Sequence, residues 1–270
     1  MPELPEVETT RRGIAPHIEG QTVQRVILRR DTLRWPIPDN LDRLLRNQPL
    51  QQVTRRAKYL QLQFAHGMLL IHLGMSGGLR ILHSPIPAPG KHDHVDIIFS
   101  NGTVLRFHDP RRFGCVLWSD DGNHSLLTEL GPEPLDDTFD AQYLFDLSRK
   151  KTVNIKGFIM NSRNVVGVGN IYASEALFMA GILPTTAAGD VSRARFEKLC
   201  QSIKLVLTRA IDQGGTTLKD FSNSDGKPGY FAQQLQVYGR EGLPCPKCAN
   251  AISKSILAQR ATYYCGRCQR

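Results

Sequence analysis

The chain has 270 residues, 41% of them hydrophobic, and a formal net charge of +9 at pH 7. It is long enough for one large or two ordinary domains, and no run of 18 apolar residues indicates a membrane span. The acidic start lacks the apolar segment of a secretory signal, so we expect a cytoplasmic protein. The positive charge predicts a polyanionic partner, most simply nucleic acid, although composition alone also fits a generally basic surface.

The chain begins MPELPEVETTRRG, which allows two interpretations. Proline and glutamate are ordinary residues for the first turn of a helix. If Met1 is removed, however, Pro2 exposes a secondary amine, and α-amino groups titrate near pH ~8. Such a nitrogen can add to a carbonyl-like carbon and form an iminium. Glu3 is adjacent, and Glu6 lies on the same face of a helix that starts here.

After this helix, the first ~130 residues predict several short antiparallel strands of a sandwich or barrel. Asn101-Gly102 predicts a two-residue hairpin, and residues 65–67 join another strand pair. The strand-like runs are TVQRVIL (22–28), YLQLQF (59–64), LLIHLGM (69–75), VDIIFS (95–100) and TVLRF (103–107).

The second half of the chain predicts helices. The Pro- and acid-rich segment 131–140 is typical of a linker. VGVGN (166–170) lacks the full G-x-G-x-x-G pattern; it fits a plain interhelical turn, or a helix N-terminus that binds a DNA phosphate. Apolar residues at helical spacing from 196 to 211 predict a helix that ends at Gly214-Gly215. The Gly-, Ser- and Asp-rich segment after it predicts a mobile loop.

Four of the six cysteines form two C-x-x-C motifs sixteen residues apart. This spacing predicts one structural Zn²⁺ held tetrahedrally by Cys245, Cys248, Cys265 and Cys268. A rubredoxin-like iron site is an alternative, and disulfides are disfavoured in an intracellular chain. The segment between the motifs predicts a β-hairpin with Arg260 near its tip, as a solvated charge or a phosphate ligand. Residues 237–270 contain six Lys and Arg against one acid.

Several motifs taken together identify the chain as similar to bacterial formamidopyrimidine-DNA glycosylases. In order they are PELPEVE at the start, RRAKYL (55–60), HLGMSG (72–77), KHDHVD (91–96), DPRRFG (109–114), VVGVGNIYASE (165–175), SDGKPGYF (224–231) and the four-cysteine end. The resemblance spans nearly the whole chain. It implies an α+β fold: an N-terminal β-sandwich with flanking helices, a helical helix-two-turn-helix domain and a zinc-finger β-hairpin, with DNA between the domains. The boundaries expected are 1–132 for the catalytic domain, 133–150 for a linker, 151–235 for the helical domain and 236–270 for the zinc finger.

The same resemblance implies a bifunctional base-excision repair enzyme. Such an enzyme flips out and excises 8-oxoguanine and formamidopyrimidines from duplex DNA, and then cleaves the strand by β,δ-elimination at the abasic site. It implies Pro2 as the nucleophile that forms the iminium and Glu3 as the acid that protonates the sugar ring oxygen. Lys58 and Arg260 are implied to serve β- and δ-elimination. The expected protein is a monomer that binds damaged double-stranded DNA, not a membrane, and needs no organic cofactor.

Further residues are expected to contact DNA because they match the family's positions. Met75, Arg111 and Phe113 resemble residues that fill the void left by the extruded base, and Arg111 would bind the orphan cytosine. Core packing is the alternative for Met75 and Phe113. Loop 216–230 resembles the family's lesion-sensing lid. His92, Lys151, Asn170 and Tyr238 are expected to contact the DNA backbone, and Glu6 to support the site through water. A second metal site at His92-Asp93-His94 is an alternative for that motif.

Two other functions compete with this one. The endonuclease VIII branch shares the Pro-Glu start but prefers oxidised pyrimidines; Met75, Arg111, Phe113 and the long 216–230 loop favour the purine branch. A non-catalytic zinc-containing DNA-binding protein would explain the charge and the cysteines, but it would leave the Pro2-Glu3 start unexplained. The nucleophile hypothesis requires that the active protein has lost Met1.

Overall fold

The computed structural model describes residues 2–215 and 234–270, so the lid expected at 216–230 lies outside the described residues. The chain divides into two compact units. The described part of the first unit comprises residues 2–128 and 214–215, and that of the second comprises 129–213 and 234–270. The predicted mixed α and β class is confirmed.

The first unit contains two four-stranded antiparallel sheets, with strand orders β1-β6-β7-β5 and β2-β3-β4-β8. One hydrophobic cluster contains side chains from both sheets and from α1 and α2, which confirms the predicted β-sandwich with flanking helices. Its elements are α1 (Leu4–Ile18), β1 (Val23–Leu28), α2 (Leu41–Leu45), β2 (Gln52–Arg56), β3 (Tyr59–Phe64), β4 (Gly67–His72), β5 (Gly78–Leu82), β6 (Asp93–Phe99), β7 (Val104–His108), β8 (Cys115–Ser119) and α3 (Ser125–Thr128).

The two predicted hairpins of this unit differ in their loops. Ala65 and His66 alone connect β3 to β4, because Phe64 pairs with Gly67. The Asn101-Gly102 hairpin has a longer loop than the two residues predicted, since Phe99 N donates to Thr103 O. Gly102 has a φ of 80°, whereas Asn101 does not adopt a positive φ. The loop is therefore a three-residue turn closed by a glycine bulge rather than a type I′ turn.

The second unit is helical apart from one hairpin. Its elements are α4 (Ala141–Ser148), α5 (Ile155–Met160), α6 (Asn170–Ala180), a 3₁₀ turn (Ala188–Asp190), α7 (Arg193–Asp212), β9 (Ser253–Leu257) and β10 (Arg260–Tyr264). The interval 133–150, expected to be a linker, contains α4, which is capped by the Asp140 side chain. Helix α6 is buried on all sides from Ile171 to Phe178, and the amphipathic α7 packs against α4 and α6.

The predicted end of α7 before Gly214-Gly215 is confirmed, and both glycines have positive φ. Helix α6 ends similarly at Gly181, whose φ of 70° is the left-handed conformation that favours glycine. Among the helices in the described ranges, none is long and apolar enough to cross a membrane.

A buried ion pair connects strands β6 and β7 of the first unit. Arg106 donates two hydrogen bonds of 2.8 Å to the Asp96 carboxylate, and Arg29 adds a third of 2.6 Å. Asp96 and Arg106 are each only 3% exposed. Burial opposes ionisation of Asp96, but the hydrogen bonds from Arg106 and Arg29 outweigh it and lower the pKa of this carboxyl.

We predict that Asp96→Asn lowers the free energy of unfolding by about 3 kcal/mol at neutral pH, because it removes the carboxylate that Arg106 hydrogen-bonds. The buried guanidinium then keeps only the Asp93 carboxylate, 3.7 Å away, as a counter-charge. A folded-state pKa below the unfolded value stabilises the protein above about pH 4, and this contribution is lost as the pH falls through the folded-state pKa. Urea denaturation of the wild type and of Asp96→Asn at several pH values measures the difference in their free energies of unfolding. The difference between them should shrink between about pH 7 and pH 2; a difference that stays constant over this range would contradict the assignment.

Candidate active site and zinc centre

The N-terminal residues Pro2, Glu3 and Glu6 are buried at the start of α1. The main-chain N–H of Glu3 donates to Glu6 Oε2 at 2.8 Å, so the Glu6 side chain turns back onto the helix N-cap. This capping interaction satisfies a donor that the helix itself leaves unpaired. Terminal residues are ordinarily poorly ordered unless something ties them down. Here α1 fixes Pro2 and Glu3 through Glu6.

Lys58 lies in a two-residue turn between β2 and β3, where Arg56 pairs with Tyr59. The preceding residue, Ala57, has a φ of 55°, a conformation that L-residues other than glycine rarely adopt. Arg55 stabilises it by donating from Nη1 to Ala57 O at 2.9 Å. Lys58 is therefore presented at the tip of a hairpin with restricted conformational freedom.

His72, at the end of β4, is a residue that sequence reasoning did not single out. Its Nδ1 accepts a 2.9 Å hydrogen bond from the main-chain N–H of Gly74. Burial, followed by the charges of Lys58 and Arg34, lowers the pKa of His72 to about 4, so the ring is neutral near pH 7. A neutral ring is required for Nδ1 to accept a hydrogen bond. His72 thus orients the turn that carries Met75.

The structure brings the Met75 turn and the Arg111–Phe113 turn into contact. A Cβ on Gly74 would lie 2.4 Å from both Gly114 N and the carbonyl carbon of Phe113, so the two main chains touch. Met75 is half-buried. Phe113 is 46% exposed, with the Arg111 guanidinium carbon 5.0 Å from its ring centroid. Phe113 therefore does not have the core position that was its alternative interpretation.

His92 is half-buried, and its ring lies edge-on to His108 at 5.9 Å. The neighbouring side chains of its motif are bonded within the protein: Asp93 Oδ1 lies 2.7 Å from His108 Nδ1, and His94 Nε2 lies 2.8 Å from Asp109 O. In the described parts of the chain, the four C-terminal cysteines form the only group placed to hold a metal ion. The second metal site considered for this motif is not found there.

In the second unit, a buried lysine joins the start of α6 to the zinc-finger hairpin. Lys156 is 1% exposed and donates to Asn170 Oδ1 at 2.6 Å and to Thr262 Oγ1 at 2.7 Å. Asn170 Nδ2 in turn donates to Ala261 O at 3.0 Å. Sequence reasoning missed Lys156; its only signal was a cation in the apolar stretch of α5. It fixes the Asn170 side chain relative to the hairpin.

The linker into the zinc finger is held by a second buried charge. Glu175 on α6 accepts hydrogen bonds of 2.8–3.0 Å from the main-chain N–H groups of residues 236, 237 and 238. Burial raises the pKa of Glu175, although these three donors favour its charged form. The bonds fix Tyr238, whose ring packs against Tyr263 of β10 at 5.0 Å.

Two further predicted DNA contacts are exposed in the second unit. Lys151 follows Lys150, which has a φ of 61°, and lies beyond the end of α4. Arg260 begins β10 directly after the tip residues Ala258 and Gln259, with φ values of 47° and 59°. The predicted hairpin with Arg260 near its tip is therefore confirmed.

The four cysteines of the C-x-x-C motifs converge, with all Sγ atoms within 4.8 Å of one another. The Cys245–Cys268 and Cys248–Cys265 Sγ atoms lie 3.9 and 3.5 Å apart, and all four thiols are free, which excludes the disulfide alternative. Tetrahedral Zn²⁺ with bonds of about 2.3 Å places its sulfurs about 3.8 Å apart, so the donor set fits one structural zinc. Gln269 supports the second knuckle by accepting from Cys265 N at 2.8 Å.

The predicted catalytic and binding residues are distributed over both units. The first unit contains Pro2, Glu3, Glu6, Lys58, Met75, His92, Arg111 and Phe113. The second contains Lys151, Asn170, Tyr238, Arg260 and the four cysteines.

Models of known protein families match residues in both units of the chain. Three family models match consecutive parts of the chain: the formamidopyrimidine-DNA glycosylase N-terminal domain at residues 1–116, the formamidopyrimidine-DNA glycosylase H2TH domain at 130–222, and the zinc finger found in FPG and IleRS at 242–270. The chain belongs to the formamidopyrimidine-DNA glycosylase family.

Individual relatives match this chain over all or nearly all of their length. The formamidopyrimidine-DNA glycosylase of Pseudomonas putida (strain W619) is 59% identical over 100% of both chains. The crystal structure of the MutM (Fpg) protein from Thermus thermophilus is 38% identical, with a TM-score of 0.89 over 99% of this chain and 98% of that one. The Lactococcus lactis Fpg, 32% identical with a TM-score of 0.91 over both whole chains, was crystallised with DNA containing N7-benzyl-Fapy-dG and with DNA containing an oxidised pyrimidine.

We predict that one Zn²⁺ per chain is required for the hairpin that carries Arg260. Cys248→Ser should lose the metal and unfold this hairpin, because a segment with so small an apolar cluster depends on metal binding for its folding free energy. Zinc content and protease sensitivity of residues 242–270 measure this. Cys200→Ser, at a buried cysteine outside the cluster, is the matched control and should retain the zinc; equal metal loss in both variants would contradict the assignment.

Proposed function

We propose that this protein is a bifunctional DNA glycosylase and abasic-site lyase that excises oxidised purines from duplex DNA. The observation that carries the proposal is the buried Pro2-Glu3 start, held by Glu6, in a chain whose family match includes these residues. A non-catalytic DNA-binding protein has no need of an ordered secondary amine at its N-terminus. Loss of Met1 is part of the proposal, because an acylated Pro2 nitrogen is not a nucleophile.

The first chemical step is displacement of the damaged base. The lesion must leave the base stack, since C1′ is inaccessible within the duplex. The Pro2 nitrogen bonds to C1′ and gives up its proton, and the bond from C1′ to the base breaks as the base leaves with a proton. Glu3 protonates the ring oxygen as the sugar opens. The product is an iminium between Pro2 and C1′, which draws electrons from C2′ and acidifies its proton.

Strand cleavage follows from this iminium. Loss of the C2′ proton expels the 3′ phosphate by β-elimination, and a second elimination expels the 5′ phosphate. Lys58 and Arg260 are cations at the tips of two hairpins, and we assign them to the leaving phosphates of β- and δ-elimination respectively. A fixed cation stabilises charge that develops on a leaving group without reorganising in the reaction.

Extrusion of the base leaves a void and an unpaired partner. The exposed Phe113 and the half-buried Met75 are apolar groups that can wedge between bases, at a cost of a few kcal/mol of unstacking per step. Arg111, beside Phe113, can hydrogen-bond the orphan cytosine.

The remaining predicted residues bind DNA around the lesion. We assign contacts with the DNA backbone to His92, Lys151, Asn170 and Tyr238, and a water-mediated role to Glu6. The domain boundaries proposed are 1–132, 133–150, 151–235 and 236–270, with residues 216–230 as the lesion-recognition loop. The protein acts as a monomer in the cytoplasm, where it associates with the nucleoid through DNA.

Oxidised pyrimidines are a second candidate substrate class. The observation that favours them is the L. lactis protein's complex with DNA containing an oxidised pyrimidine. A pyrimidine-lesion duplex therefore belongs in the same experiment, where comparable trapping on both lesions would broaden the substrate class.

Borohydride trapping tests the proposed function. With the Met1-processed protein and a duplex carrying 8-oxoguanine opposite cytosine, we expect a covalent adduct that maps to Pro2, because borohydride reduces the iminium to a stable amine. An N-terminally extended form should give no adduct, since its Pro2 nitrogen is an amide; Pro2→Gly tests the need for the pyrrolidine ring. Undamaged duplex is the substrate control, and intact mass showing Met1 retained in active protein would overturn the nucleophile.

Arg260→Ala separates the two eliminations. We expect δ-elimination to slow by about 10²-fold, as is typical when one preorganised cation is removed from a developing charge, while β-elimination products accumulate. Gel analysis of the 3′ ends measures both. Arg267→Ala, at another arginine of the same zinc finger, is the matched control and should leave the product ratio unchanged.

A further inference from the structure

A single buried carboxylate connects the two turns assigned above to the void and the orphan base. Asp109 follows β7 and is 0% exposed. Its Oδ2 accepts from Gly114 N at 2.8 Å, and its Oδ1 accepts from Arg111 N at 3.2 Å and from Ser76 Oγ at 3.2 Å. One side chain therefore bonds the turn that carries Met75 and both ends of the turn that carries Arg111 and Phe113.

The main chain of Asp109 extends this connection to a third segment. Its N–H donates to His92 O at 2.9 Å, and its carbonyl oxygen lies 2.8 Å from His94 Nε2. The segment that carries His92 is thus hydrogen-bonded to the same residue. Three sets of proposed DNA contacts share Asp109 as their common partner.

The two turns meet through their main chains, so few side chains are available to fix their separation. Gly74, with a φ of 68°, touches the main chain of residues 113 and 114. A Cβ on Gly114 would lie 2.6 Å from His72 O and 3.1 Å from Asp109 Oδ2. Glycine at both positions allows the close approach, and the carboxylate supplies directed bonds across it.

We infer that Asp109 is a positioning residue that locks the Met75 turn and the Arg111–Phe113 turn into one rigid wedge, so that filling the void and reading the orphan base are a single event. The inference rests on the proposed function. It goes beyond that function by proposing a preference for cytosine opposite the lesion, exerted through Arg111, and by assigning it to a buried residue that positions Arg111.

The chemistry of the site requires a carboxylate. Three donors meet two oxygens, and an ionised carboxyl group accepts at both. Asparagine has the same shape but replaces one oxygen with an NH₂ donor, which then faces a main-chain N–H in either orientation: that of Arg111 at Oδ1 or that of Gly114 at Oδ2. A buried donor left without an acceptor costs more than the average hydrogen bond contributes. Asp109→Asn therefore loosens one turn against the other without leaving a cavity.

The test measures two steps separately: base excision from a lesion duplex, and iminium formation on abasic DNA that has no orphan base. We expect Asp109→Asn to lower kcat/KM on duplex with 8-oxoguanine opposite cytosine by about 10- to 100-fold, the factor for a lost hydrogen bond to a charged group. The loss should be smaller opposite adenine, so the cytosine preference falls. Borohydride trapping on single-stranded abasic DNA has no orphan base to read and should stay within about twofold of wild type.

Two variants separate positioning from general destabilisation. Asp96→Asn removes another buried carboxylate of the same unit, but Asp96 bonds Arg106 and Arg29 instead of the turns. It should lower thermal stability and leave the cytosine preference unchanged. Ser76→Ala removes only the donor on the Met75 side and should shift the preference in the same direction as Asp109→Asn, by a smaller factor, even if Asp109→Asn does not fold.

The outcomes are distinguishable. Wild-type protein that forms no adduct on any abasic substrate overturns the proposed function itself. Trapping by wild type together with an unchanged cytosine preference in Asp109→Asn, or in Ser76→Ala where the former does not fold, overturns the positioning role alone. A fall in preference that Asp96→Asn reproduces assigns the effect to stability and also overturns it.

Discussion

The hydrogen bond from Glu3 N to Glu6 is the interaction on which the proposed chemistry depends. A nucleophile at the end of a chain has covalent support on one side only, so its position must come from noncovalent contacts. Helix α1 supplies them by turning a first-turn carboxylate back onto its own N-cap, at 2.8 Å, while residues 2, 3 and 6 are buried. A single local motif thus serves as helix cap and as scaffold for the reacting group.

Cations in this protein are arranged by two different physical means. In the first unit, Arg106 and Arg29 are paired with a buried carboxylate and stabilise the sheet. The second means is placement at a turn: Lys58, Lys151 and Arg260 lie at turns beside the ends of secondary structure elements.

The zinc finger has too small an apolar cluster to hold its hairpin by burial, and the metal substitutes for the missing core. Buried Lys156 then connects that hairpin to the start of α6.

Local signals in the sequence predicted the parts of the fold that local chemistry determines. Paired cysteines at fixed spacing predicted the zinc hairpin, and apolar periodicity with a glycine pair predicted α7 and its end. The roles of Lys156, Glu175 and Asp109 were not predictable in this way. Each bonds at least one group that is distant in sequence, and a charged residue in a sequence gives no sign of whether folding will bury it. The Asn101-Gly102 loop differs in length because strand register, which the dipeptide does not determine, sets where pairing resumes.

Backbone strain is concentrated beside the residues proposed to contact DNA. Seven non-glycine residues in the described ranges have positive φ, and five of them lie within two positions of such a residue: Ala57, Arg112, Lys150, Ala258 and Gln259. The left-handed conformation costs about 1–2 kcal/mol for an L-residue, and glycine would relieve it. Glycine would also enlarge the range of directions in which the neighbouring charge can point. A variant stabilised by placing glycine at these turns is therefore expected to hold the neighbouring charge less firmly in the direction that DNA binding requires.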